Sequence, residues 1–135
     1  MNSKSSFRLN RFMHHLSFQT EPSSYLAAIK RLSKNEQKEL CLGKNQDGYS
    51  LLHSVVAHRD IGSEKKVALV KGMILIAFQT FENEPQNLVH FMTSGNNYGF
   101  TPLHSSIAKI NDTNGVTRLL LTYTKLAHIN DPATL

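Results

Sequence analysis

The sequence has few of the features that define several large classes of protein. Its only cysteine is Cys41, which excludes a disulfide framework within the chain and favours a reducing compartment. It has no run of about 18 apolar residues, and the nearest candidate, 67–81, contains Lys71 and Gln79. The N-terminus lacks the apolar core of a secretory signal. We therefore expect an intracellular, cytoplasmic protein without a transmembrane helix.

Motifs for cofactor and metal chemistry are also missing. The chain contains no GxxxxGK[ST], no GxGxxG and no GxSxG. His53 and His58 are five residues apart, which does not align them on one helical face, and no Cys/His spacing resembles a zinc motif. We expect no catalytic residue, no metal and no cofactor. An enzyme whose site is not visible in the sequence stays open, and it would require His58 or His90 for activity.

The charge is mildly basic and concentrated at one end. Fifteen Lys and Arg residues against ten Asp and Glu residues give a net charge of +5. Residues 1–20 contain Lys4, Arg8 and Arg11 and no acid. Elsewhere the charges are nearly balanced, without the clustered basic face that nucleic-acid binding requires. We therefore expect no nucleic-acid partner.

Apolar periodicity predicts an all-α fold. Residues 1–20 are expected to form a polar tail over 1–6 and an amphipathic helix over 9–16, which either covers the edge of the domain or docks to a membrane or partner. Helix caps are expected at Ser23 or Ser24, at Ser33 (as a capping box with Glu36) or Asn35, and at Ser63. The other predicted helices are 25–32, 33–42, 64–81, one from 85 past Met92, 101–109 and 115–126.

An internal repeat is the strongest signal in the chain. Residues 45–53 (NQDGYSLLH) align with residues 96–104 (NNYGFTPLH), and Gly48 and Gly99 are 51 residues apart. Each glycine can take the positive φ that ends a tight turn. Ser50 and Thr101 are suited to cap the helix that follows, and Pro102 presets φ at the first helical position. Val56 aligns with Ile107 as a further apolar position.

The loop and the Thr101-Pro102-Leu103-His104 signature resemble the ankyrin repeat. The resemblance implies a short ankyrin-like helical repeat stack (an α-solenoid) over 21–135, with about three repeats near 22–44, 45–95 and 96–130. It also implies that the signature histidines bond the cap hydroxyl and backbone groups. Ankyrin repeats are about 33 residues long, so the surplus is expected in a lengthened helix and one inserted helix within 64–93. The structural positions are Ser50, His53, Thr101, Pro102, Leu103 and His104.

The resemblance also implies where a partner would bind. Ankyrin-like stacks meet partners through loop tips and the exposed side of each first helix. Aromatic residues in such loops supply large contact areas at low entropic cost, although each ring here could instead cover the stem of its own loop. The candidate partner-binding residues are Tyr49, Ser54, His58, Asn97, Tyr98, Phe100, Ser105 and Lys109.

The sequence therefore predicts a protein–protein interaction scaffold that is not an enzyme. One possible setting is a secreted bacterial effector that acts in the host cytoplasm, and another is a fragment of a larger protein. A membrane-associated regulatory adaptor that uses the basic N-terminal helix is the alternative.

Overall fold

The protein is described by a computed structural model over residues 3–108 and 114–131. The regular structure in these ranges is entirely helical, which confirms the all-α class. The helices are α1 (Ser3–His14), α2 (Pro22–Lys30), α3 (Lys34–Leu42), α4 (Leu51–Ala57), α5 (Ser63–Thr80), α6 (Pro85–Thr93), α7 (Pro102–Ala108) and α8 (Asn114–Ile129).

The helix boundaries correct several sequence predictions. Helix α1 begins at Ser3 instead of following a polar tail, and α8 continues to Ile129, beyond the predicted end at 126. The expected cap at Ser23 or Ser24 is wrong, because Pro22 already occupies the first helical turn with its φ preset. The expected cap at Ser63 is also wrong, since the helix starts there and Gly62 is the extended residue before it.

The capping box at the start of α3 is confirmed. The Glu36 backbone N–H donates to Ser33 Oγ at 3.2 Å, and the Ser33 N–H donates to Glu36 Oε1 at 2.9 Å. These two bonds satisfy backbone donors that the first helical turn leaves without partners. The hydrogen bond from the Ser33 backbone N–H, followed by the Ser33 hydroxyl, lowers the pKa of the Glu36 carboxyl below its ordinary value.

The helices recur in sets of three. Helices α3, α4 and α5 begin at Lys34, Leu51 and Ser63, and α6, α7 and α8 begin 51 residues later in each case. Equivalent helices also pack against each other, α3 on α6, α4 on α7 and α5 on α8. We call α3–α5 the first unit and α6–α8 the second unit.

This grouping differs from the repeats expected near 22–44, 45–95 and 96–130. Helix α6, which the sequence suggests is inserted, is the counterpart of α3. Buried Leu40 and Cys41 in α3 match buried Phe91 and Met92 in α6, but little other sequence is shared. Three helices in a unit also differ from the two helices that the ankyrin resemblance implies.

The first two helices cover one side of the first unit. Helix α1 packs on α3 and α4, and α2 packs on α5. Leu9 and Leu16 are buried in this packing, and the Tyr25 hydroxyl donates to the Phe12 carbonyl oxygen at 2.6 Å. Burial raises the pKa of the Tyr25 phenol well above its ordinary value.

Helix α5 lies at the centre of the core. It packs against α2, α3, α4, α6 and α8, and its buried residues lie on more than one face, as its sequence predicts. Although α5 is largely apolar, no helix in the described parts of the chain is both long enough and apolar enough to cross a membrane.

Candidate partner-binding surface

The two repeated loops have the same backbone conformation. Gly48 and Gly99 both have φ of 83°, so both glycines take the positive φ that the sequence predicts. In each loop an asparagine side-chain oxygen accepts two backbone N–H groups, as in an Asx turn. The bonds are from Asp47 N (3.0 Å) and Tyr49 N (2.9 Å) to Asn45 Oδ1, and from Tyr98 N (2.9 Å) and Phe100 N (3.1 Å) to Asn96 Oδ1.

The loops are bonded directly to each other. Asn97 donates from its backbone N–H to the Asp47 carbonyl oxygen at 3.1 Å and from Nδ2 to the Gln46 carbonyl oxygen at 2.9 Å. Below them, Lys44 Nζ donates to the Gly95 carbonyl oxygen at 2.8 Å. The two loops therefore form one continuous stack.

Each loop leads into a capped helix. The His53 N–H donates to Ser50 Oγ at 3.1 Å, and the His104 N–H donates to Thr101 Oγ1 at 3.2 Å. The serine and threonine thus fill the capping role predicted for them. Pro102 follows as the first residue of α7.

The two signature histidines make different ring contacts. His104 Nδ1 accepts the Thr101 backbone N–H at 3.0 Å and lies 2.9 Å from Thr101 Oγ1, as the ankyrin resemblance implies. His53 instead places Nε2 2.6 Å from Ser105 Oγ on α7, and its Nδ1 is buried without a hydrogen-bond partner. His53 therefore joins the two units, whereas His104 stabilises only its own turn.

Burial determines the protonation state of His53. The ring is completely buried, with Tyr49 edge-on to it at a centroid distance of 4.6 Å. Desolvation, followed by the nearby positive charge of Lys44, lowers the pKa of His53 to about 4. The imidazole is consequently neutral at physiological pH.

The three loop aromatics are not equally accessible. Tyr98 is 78% exposed and Phe100 is 54% exposed, whereas Tyr49 is half-buried over His53. Tyr49 thus covers the stem of its own loop, which is the second of the two interpretations left open by the sequence. Tyr98 and Phe100 are the aromatics available to a partner.

Several other candidate residues already have bonds within the fold. Ser105 is bonded to His53, and Asn97 is bonded to the first loop. His58 Nδ1 accepts the Asp60 N–H at 3.1 Å, and its Nε2 lies 3.2 Å from the Leu16 carbonyl oxygen, so His58 fastens the end of the N-terminal segment. Ser54 is half-buried on α4. The candidate Lys109 lies outside the described residues.

The described residues contain no cluster for metal chemistry. No group of three or more His, Cys, Asp or Glu side chains is close enough to hold an ion within the described ranges. Cys41 is buried, and desolvation raises the pKa of its thiol to about 12. At that pKa the thiolate nucleophile is scarce at neutral pH.

One further accessible residue is Ile107, whose exposure is not predicted by aligning the two internal repeats. It aligns with Val56, which is completely buried, so the sequence suggests a core position. In the structure Ile107 is 66% exposed. The sequence of the repeat carries no signal that distinguishes the two positions.

Comparison with known proteins found no matching family model, no matching curated protein and no matching solved structure.

Proposed function

We propose that the chain is a protein–protein interaction scaffold, ankyrin-like in its loops, that presents Tyr98 and Phe100 to a protein partner. The observation that carries the proposal is the exposure of these two rings, at 78% and 54%, on a loop whose backbone is fixed. Aromatic residues such as tyrosine are enriched among the residues that contribute most to protein–protein binding.

The fixed loop favours binding because less conformational entropy is lost on association. The Asn96 side chain accepts two backbone N–H groups within the loop, and Asn97 forms two hydrogen bonds to the first loop. Ordering a flexible interface side chain or loop costs about 0.5–1.5 kcal/mol for each immobilised group. A preformed loop avoids much of that cost.

The proposal is tested by affinity capture from cell lysate with the full chain as bait. Replacing Tyr98 and Phe100 together by Ser should reduce the recovery of specific partners at least about tenfold, as expected for hot-spot aromatics. Phe18→Ser is the matched control, because Phe18 is 65% exposed but lies between α1 and α2. Full retention of every partner by the double variant would reject the loop surface.

The membrane-associated adaptor remains an alternative proposal, but the packing of α1 leaves it little apolar surface. Leu9 and Leu16 are buried in the fold, while Phe7 is 65% exposed beside Arg11, whose guanidinium carbon lies 5.9 Å from the ring centroid. Flotation with anionic vesicles distinguishes the two functions. A membrane adaptor would float, and it would lose this property in the Phe7→Ser/Arg11→Ser variant.

A further inference from the structure

One side of the second unit is not covered by any described residue. In the first unit the equivalent side is covered by the second unit, through α4 on α7 and α5 on α8. The 51-residue equivalence between the units therefore allows each position on the uncovered side to be compared with a covered counterpart in the same chain.

The comparison of α4 with α7 identifies the first uncovered positions. Val56 is 0% exposed, but its counterpart Ile107 is 66% exposed. His53 is also fully buried, whereas its counterpart His104 is exposed. These positions are buried only where a further helix packs against them.

The comparison of α5 with α8 extends the same surface. Val70 is 0% exposed, and its counterpart Leu121 is 44% exposed. Phe78 packs edge-on against Tyr123 of α8 at a centroid distance of 5.5 Å, whereas the counterpart of Phe78, Ile129, is 61% exposed. Ile129 is thus placed where the covered unit makes contact with its neighbour, and Leu121 is placed at a position that the first unit buries completely.

A second row on α8 serves as an internal reference. Leu75 is 47% exposed in the first unit, and its counterpart Leu126 is 41% exposed in the second. This position is exposed whether or not another unit follows, so it belongs to the back of both units. Leu121 and Leu126 therefore lie on different surfaces of one helix. We call the uncovered surface formed by Ile107, Arg118, Leu121, Lys125 and Ile129 the end face.

The end face is apolar and basic. Val67 and Ile74 of the first unit correspond to Arg118 and Lys125 in the second, both of which are exposed. Residues 114–130 contain no Asp or Glu. The two cations replace apolar side chains that share a helical face with Phe78, the residue in contact with α8. An occupant with complementary charge must therefore supply carboxylates.

His104 adds a requirement for a hydrogen-bond acceptor. Its Nδ1 accepts the Thr101 backbone N–H, so the neutral ring carries its proton on Nε2. In the first unit the Nε2 of His53 is bonded to Ser105 of the covering helix. A carboxylate or hydroxyl oxygen on an occupant would meet His104 in the same way.

We propose that the end face binds an acidic amphipathic helix of a partner protein. Apolar side chains of that helix pack on Ile107, Leu121 and Ile129, and its carboxylates lie opposite Arg118 and Lys125. A second copy of this chain is disfavoured, because two end faces would bring these cations together without an acid. The proposal rests on the proposed scaffold function and names the class of partner.

The direct test measures binding of a synthetic helical peptide to the full chain by fluorescence anisotropy. The peptide is about four turns long, with leucines on one face and glutamates beside them. We expect binding that weakens at least tenfold with Leu121→Glu and with the double variant Arg118→Glu/Lys125→Glu. Leu126→Glu on the back of the same helix should leave binding unchanged, and circular dichroism confirms that each variant is folded.

Four results of these measurements would overturn the proposal, and a fifth would come from a vesicle-binding assay. The first two are no binding of the acidic peptide, and binding of a peptide with lysines in place of the glutamates as strong as that of the acidic peptide. The third is a loss of binding with Leu126→Glu as large as that with Leu121→Glu. The fourth is a dimer of the chain in sedimentation that Leu121→Glu dissociates. Anionic vesicles that bind the chain while the peptide does not would likewise reject it. The recovery of lysate partners by the Tyr98/Phe100 variant is measured independently of peptide binding. Rejection of the scaffold proposal can therefore be distinguished from rejection of the end-face proposal.

Discussion

His53 Nε2 lies 2.6 Å from Ser105 Oγ, and this hydrogen bond joins the equivalent helices α4 and α7 of the two units. The two residues are 52 positions apart in the sequence. The imidazole is enclosed, because His53 is 0% exposed and Tyr49 covers its ring. A charged imidazolium in this place would be poorly solvated, so the junction between the units depends on the neutral ring.

We expect the chain to lose stability as the pH falls from about 6.5 to 4. The folded pKa of His53 is about 4, below its ordinary value of 6.5, so the unfolded chain binds a proton in this window that the folded chain does not. The free energy of unfolding should fall by up to about 3 kcal/mol. Urea denaturation at several pH values measures this loss.

The control for the pH effect is His53→Gln, which lacks the titratable ring but keeps a side chain able to bond Ser105. All other ionisable groups are the same in the two proteins, so the difference between the two pH profiles isolates His53. Parallel profiles between pH 6.5 and 4 would show that His53 is not the group responsible.

Leu52→Ala should be more destabilising than Leu103→Ala. The sequence makes the two leucines equivalent, but Leu52 is 0% exposed and Leu103 is only partly buried against the core. Truncating the buried residue should cost about 2–5 kcal/mol, and the loss at Leu103 should be smaller because less apolar area is removed from contact. Chemical denaturation of both variants tests the order, and equal losses would contradict the difference in burial.

Gly48→Ala and Gly99→Ala form a second matched pair. Both glycines have φ of 83°, so both substitutions introduce backbone strain of about 1–2 kcal/mol. At Gly48 an added Cβ would also come within 2.6 Å of the Asn97 backbone nitrogen, whereas at Gly99 it would meet nothing within 4 Å. Thermal denaturation should therefore show the larger loss for Gly48→Ala, and the reverse order would contradict the observed stacking of the loops.

The parts of this structure that the sequence predicts are those set by local chemistry. The Asx loops, the caps at Ser50 and Thr101 and the capping box at Ser33 depend on residues within five positions of one another. The equivalence of α3 and α6 could not be predicted, because their shared feature is burial at Leu40 and Phe91. The exposure of Ile107 could not be predicted either, because burial at this position depends on which helix packs against it and not on the apolar periodicity of α7.

We expect the buried ammonium group of Lys66 to stabilise the C-terminal end of α4. It is only 4% exposed, and its Nζ donates to the carbonyl oxygens of Val56 at 3.0 Å and His58 at 2.7 Å. The last carbonyls of a helix have no partner within the helix, and a cation there also interacts favourably with the helix dipole. Lys66→Met keeps the apolar stem but leaves buried acceptors unsatisfied, which should cost about 1–3 kcal/mol.

Lys65→Met is the matched control for Lys66→Met. Lys65 is the adjacent residue on α5, and its Nζ makes an exposed bond to the Phe18 carbonyl oxygen at 3.2 Å. Removing such a surface contact should change the free energy of unfolding by less than about 0.5 kcal/mol. Urea denaturation of both variants tests the difference, and similar losses would show that the buried ammonium does not support α4.

Alkylation of Cys41 should report opening of the first unit. Cys41 is 8% exposed among Leu40, Leu51 and Met73, and burial raises the pKa of its thiol to about 12. Because the thiolate is the reactive form, iodoacetamide at pH 8 should modify the native chain far more slowly than the chain in urea. Mass spectrometry of the intact protein measures both rates. Leu52→Ala should raise the rate of Cys41 alkylation in the folded chain, because it makes opening of the first unit easier. If the wild-type chain is instead labelled at the rate of the unfolded chain, α3 does not stay packed against α5.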